Sequence, residues 1–180
     1  MTDSRTASRQ GTLERTTDGG VIRFRRRLAF PVDEVWSAIT DPARLADWWL
    51  PFDADITIDL REGGEMVFTA TAGEPPPMTC TILRVEPPVR FEHTHFVDGV
   101  TVAWDLEAVP EGTVLRFDQY VPNVDEAVEG CWIVGMHTSL LRLQPALAGA
   151  PVPWDWDAFG ALRAHYAEHH LAAPDPEAGQ

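Results

Sequence analysis

Between Asp53 and Val121 apolar and polar residues alternate with a period of two, broken only by turn signals, and one long stripe of helical period follows. Period two puts alternate side chains on opposite faces of a strand, so this stretch reads as half-buried strands. They are Ile56–Leu60, Met66–Ala70, Thr79–Val85, Val89–Phe96, Val100–Ala108 and Thr113–Val121. Between them lie Gly63-Gly64, Asp98-Gly99 and Glu111-Gly112, turns so short that the strands they join must be antiparallel neighbours. Gly73–Pro77 is a loop, because three successive prolines have no N–H to give a ladder.

Upstream, Val21–Phe30 is a further strand, with Ile22, Phe24, Leu28 and Phe30 on one face together with Arg26, and Arg23, Arg25 and Arg27 on the other. The outward arginines suggest protection of a sheet edge. Pro31 opens a short helix with Val32, Val35, Trp36 and Ile39 at helical spacing, and Asp41 is the N-cap of a second reaching to Trp49. After Pro122, Val128, Trp132, Met136, Leu140 and Leu143 form the apolar stripe of one helix over residues 125–147. A shorter helix spans 157–169. The expected organisation is a flexible tail over 1–18, one domain over 19–148 and a C-terminal extension over 149–180.

Composition narrows the function classes. The chain has 180 residues and a net charge of −14, which disfavours nucleic acid and anionic membranes as partners. All 14 basic residues are arginine, so neither a Schiff-base lysine nor a phosphate-binding P-loop lysine exists here. No apolar run approaches the roughly 20 residues that span a bilayer, and the first ten residues lack a secretory signal's apolar stretch. The expected location is the cytoplasm. Cys80 and Cys131 are too few for a disulfide framework or a paired-cysteine metal site.

The order strand, two short helices, antiparallel strands and long helix is the helix-grip arrangement, an α+β fold in which a curved antiparallel sheet wraps a C-terminal helix. Several segments carry a specific resemblance: Phe30-Pro31-Val32-Asp33-Glu34-Val35-Trp36, Thr40-Asp41-Pro42, Leu60-Arg61-Glu62-Gly63-Gly64, Val85-Glu86-Pro87-Pro88 and Gly112-Thr113. With Ala150–Trp156 behind them, they resemble the SRPBCC superfamily, in its bacterial branch similar to the activator of the Hsp90 ATPase, over residues 20–167. The resemblance implies a cavity between sheet and helix for a small hydrophobic molecule. It fixes no reaction, since the superfamily holds carriers, receptors, cyclases and chaperone activators.

His93 and His95 are two apart on a strand and share the face of Phe91. They read as polar pocket groups, or, with His137, as metal ligands; no cofactor or metal is assigned. Arg26 is an anchor for an anionic group or half of an internal ion pair. Gln119, in phase with Phe117, orients a ligand or satisfies His93 or His95. Phe68, Trp104, Phe117, Trp132 and Met136 are the expected apolar walls. Trp48 and Trp49 would guard the mouth, while Trp154 and Trp156 would pin the extension to the outside. His165 and His169 read as an exposed helix face. No G-x-S-x-G, H-E-x-x-H or paired-cysteine motif occurs. The leading reading is a binding protein for a small hydrophobic or aromatic molecule. A cyclase or dehydratase using the pocket histidines and a chaperone ATPase-activating domain stand as alternatives, with a second copy of the chain as a candidate partner.

Overall fold

The alternating segments pair into one antiparallel sheet in the computed structural model, which describes residues 10–169. Its strands are β1 (Thr12–Thr16), β2 (Gly19–Leu28), β3 (Ala54–Ile58), β4 (Glu65–Ala70), β5 (Met78–Glu86), β6 (Arg90–Thr94), β7 (Thr101–Val109) and β8 (Gly112–Val121). Their spatial order is β1-β2-β8-β7-β6-β5-β4-β3, so β3 to β8 form a meander and β2 returns beside β8. A register shift between Ile82 and Arg84 interrupts the β5–β6 ladder; such a bulge bends and twists the strand that carries it.

The described residues add five helices: α1 (Val32–Thr40), α2 (Pro42–Ala46), α3 (Val124–Glu129), α4 (Trp132–Leu147) and α5 (Trp156–His169). Asp41 caps α2 as expected, accepting from the amides of Ala43 and Arg44. The inward residues of β2 and β4–β8 meet the buried side of α1 and α4 in one core. Among the described residues no helix is long and apolar enough to cross a membrane.

The family motifs have local physical causes. Gly112 turns the chain at φ 134°, and a Cβ there would lie 2.1 Å from the Leu28 carbonyl. Its neighbour Thr113 donates its hydroxyl to Phe30 O at 2.7 Å, tying the β7–β8 turn to the start of α1.

Three expectations fail. The tail assigned to 1–18 includes a strand: residues 12–16 pair with β2, and the amide of Gly11 donates to the Tyr166 hydroxyl at 2.8 Å; residues 1–9 lie outside the described residues. β2 is therefore flanked on both sides, and its arginines protect no edge; Arg23 instead bridges Glu14 on β1 and Asp118 on β8. The single helix over 125–147 is broken at Gly130-Cys131, where Cys131 sits at φ 56°. Left-handed backbone is uncommon for a residue with a side chain and cannot continue a helix.

Candidate functional site: an aromatic cavity at the helix break

Two rows of inward side chains cross β2, β8, β7 and β6 side by side. One is Phe24, Phe117, Trp104 and Phe91; the other is Ile22, Gln119, Val102 and His93. The aromatic row packs solid. Trp104 meets Phe117 edge-on at 4.7 Å and Trp48 at 6.0 Å, and Phe24 lies 6.2 Å from Phe117. The second row has smaller side chains, and the space above part of it stays open as a cavity of about 340 Å³.

Gln119, Val102 and Phe117 form the sheet side of this cavity. The β6–β7 turn adds His95, Phe96 and Val97, and the linker after α2 adds Trp49, Leu50 and Pro51. The helical side is the break itself: Gly130, Cys131, Trp132, Gly135, Met136 and Ser139. Trp154, Trp156 and Phe159 of the extension complete the wall. Gly135 leaves room: a Cβ on it would meet no heavy atom within 4 Å.

Of the nine site residues expected from sequence, His95, Phe117, Gln119, Trp132 and Met136 line this cavity, and Arg26, Phe68, His93 and Trp104 do not. Phe68 and Trp104 are buried in the core. Arg26 also lies inward, but its guanidinium is 5.1 Å from the Phe24 ring and donates to Arg25 O, away from the cavity.

His93 faces inward and is fully engaged. Its Nδ1 lies 2.8 Å from Thr94 O and so carries the proton, which leaves Nε2 to accept from the Trp104 indole at 3.2 Å. Burial pulls its pKa from 6.5 to about 4, so the ring is neutral at ordinary pH. Both nitrogens being used, His93 is a structural residue; neither ligand orientation nor acid–base work suits it.

His95 differs. The amide of Val97 donates to its Nδ1 at 3.3 Å, which assigns the proton to Nε2. That Nε2–H has no hydrogen-bond partner among the described residues, while the ring lies against Phe96 and stacks on Trp132. Burial, with a smaller contribution from His93, lowers its pKa to about 4.

Gln119 is 5 % exposed between Ile22 and Val102, and its amide makes no hydrogen bond to His93, His95 or any other described residue. Ser139 is satisfied, bonding to Trp49 O and Gly135 O. His137 turns away, 2.8 Å from the Tyr166 hydroxyl and edge-on to Phe24. The three histidines weighed as metal ligands are thus not brought together, and no cluster of three or more metal-ligating side chains occurs among the described residues. His165 lies by Gln10; the His169 side chain is outside the described residues.

Three of the four tryptophans depart from their expected places. Trp48 is a core residue whose indole donates to Ala38 O, and only Trp49 reaches the cavity. Trp154 and Trp156 line the wall instead of pinning the extension. Arg142 does the pinning, its guanidinium donating to the carbonyls of Asp47, Trp48, Leu50 and Val152 while lying over Trp154. Sequence reasoning missed Phe159, Cys131 and Gly135; only the glycine, one helical turn from Trp132 in an apolar stretch, left a readable sign of space.

Comparison with known proteins agrees with this architecture. The sequence pattern of the family described as activator of Hsp90 ATPase homolog 1-like protein matches residues 29–148. Among solved structures, CalU16 from Micromonospora echinospora is 29% identical with a TM-score of 0.69, spanning 91% of this chain and 98% of that one. NE0264 from Nitrosomonas europaea is 25% identical with a TM-score of 0.61, over 72% and 94% of the two chains. EF2215 from Enterococcus faecalis, at 20% identity, TM-score 0.73 and 91% and 92% coverage, shares the fold. No curated protein matches. With two thirds of its length under the family's pattern and a helix-grip sheet around α4, the chain belongs to the activator of Hsp90 ATPase homolog 1-like family.

Proposed function

We propose that the protein binds a small, largely apolar aromatic molecule in the cavity at the break between α3 and α4. One observation carries the reading: a buried glutamine amide without a protein partner faces a cavity otherwise walled by aromatic and aliphatic side chains. Apolar walls with a few convergent polar groups are the usual make-up of small-molecule sites, and the volume is at the lower end of their range. A cytoplasmic role suits the two free cysteines.

Native mass spectrometry of protein taken directly from lysate should show an adduct of small-molecule mass. Titration with N-phenyl-1-naphthylamine should show one saturable site with blue-shifted emission. Absence of both an adduct and saturable fluorescence removes the proposal. The family match supports a second reading, stimulation of a chaperone ATPase. Saturating protein should then raise the ATPase rate of purified Hsp90, and an unchanged rate disposes of it.

A further inference from the structure

We infer that the ligand is a neutral aromatic molecule bearing a hydrogen-bond-accepting oxygen, such as an aryl ketone or quinone-like carbonyl, directed at Gln119 and His95. This deepens the binding reading above and rests on it. The polar groups on the cavity wall are chiefly hydrogen-bond donors. His95 presents an Nε2–H, because its Nδ1 already accepts from Val97. Gln119 presents an amide with two N–H donors and one acceptor, unbonded within the described protein. Trp154, also on the wall, has its indole N–H buried with no hydrogen-bond partner. Of these donors the Trp154 indole N–H is shut off from solvent without an acceptor, while those of Gln119 and His95 reach the open cavity, where a ligand acceptor can meet them.

Ser139 spends its hydroxyl proton on the backbone carbonyls of Trp49 and Gly135 and so offers the cavity no donor, only its oxygen lone pairs beside the Gln119 carbonyl. The first turn of the 16-residue α4, which has no side-chain cap, adds the positive end of its dipole to the same wall. The complement is an electron-rich oxygen. A full anion fits poorly, since no arginine lines the cavity and the chain carries a net charge of −14. A carbonyl satisfies the donors without bringing an uncompensated charge into an apolar site.

Three naphthalenes of similar size separate the cases: 2-ethylnaphthalene, 2-acetylnaphthalene and 2-naphthoate, each titrated calorimetrically into the intact chain and into Gln119→Leu. The ketone should bind the intact chain about tenfold more tightly than its ethyl counterpart, roughly the worth of one net hydrogen bond. That preference should vanish in Gln119→Leu. The naphthoate should be weaker than the ketone. Equal affinity of the ketone and ethyl compounds for the intact chain overturns the inference while leaving the cavity as a binding site. Tightest binding of naphthoate also overturns it, because the site would then be anionic-selective. If none of the three binds, both the inference and the proposed function fall. The comparison within the intact chain depends on no variant folding.

Discussion

Gly135 offers the sharpest test of whether the open space beneath the helix is a site or a packing defect. It lies in the first turns of α4 with its amide bonded to Cys131 O at 2.9 Å, and a Cβ there would meet nothing within 4 Å. Glycine in a helix costs about 0.5–1 kcal/mol relative to alanine through the backbone entropy lost on folding. With no clash to oppose it, Gly135→Ala should recover that amount. For a chain of this length the gain corresponds to a rise in Tm of roughly 1–4 °C.

Gly135→Phe extends the same reasoning. Its ring enters the cavity and should leave the fold at least as stable as the parent, since it buries apolar surface in space already present. It should abolish saturable binding of N-phenyl-1-naphthylamine. The assays are thermal melting by circular dichroism and fluorescence titration on the same samples. A lower Tm for the alanine variant would mean the space is closed in solution. A folded phenylalanine variant that binds the probe like the parent would place the ligand elsewhere.

Two further outcomes follow from other parts of the site. His93 stays neutral in the fold down to about pH 4, whereas an unfolded histidine titrates near 6.5. Between those values the unfolded chain binds the extra proton, so this contribution is fully present above pH 6.5 and is lost as pH falls towards 4. The loss is on the order of 3 kcal/mol for this residue, and His95 acts in the same direction. His93→Phe should flatten that acid limb in urea melts across pH 4–7. It should also cost about 1–3 kcal/mol at neutral pH by stranding the Trp104 indole N–H; an unchanged pH profile contradicts the assignment. Arg142→Lys should lower stability by about 2 kcal/mol and expose residues 148–156 to proteolysis, because an ammonium cannot span the four carbonyls that the guanidinium holds. A lysine variant with the parent's Tm and cleavage pattern would show that the extension is held by other contacts.

The strands of the meander were legible because each has one buried and one exposed face, and alternation records that directly. β1 was not: nearly all its side chains are exposed, so Thr12–Thr16 has no apolar period to read. It is held by the β2 ladder and, through the preceding Gly11, by Tyr166, 155 residues further along the chain. The helix break was hidden for the opposite reason, since the stripe Val128–Trp132–Met136 runs through it without a change of phase. At the site, alternation correctly turned His93 and Gln119 inward. It could not tell a satisfied histidine from an available amide. That difference depends on cross-strand register, which sets Trp104 opposite Phe91 and hence diagonal to His93, while Gln119 lies between Ile22 and Val102.

That register also explains why the cavity lies where it does. The space between sheet and helices is not hollow throughout, as the resemblance alone would suggest; the Phe24–Phe117–Trp104–Phe91 row packs with Trp36, Trp48 and His137. Space remains where the neighbouring row is smaller, with Val102 on the sheet and Gly135 on the helix both lining the same opening. Leucine at 119 and alanine at 135 would serve the sheet and the helix at least as well, the first by removing an unpaired amide and the second by raising helix propensity. A chain shaped for stability alone has no use for the present pair. Features that break local rules without a compensating structural gain concentrate at functional sites. Here both departures border one cavity, together with the only left-handed non-glycine residue described, Cys131.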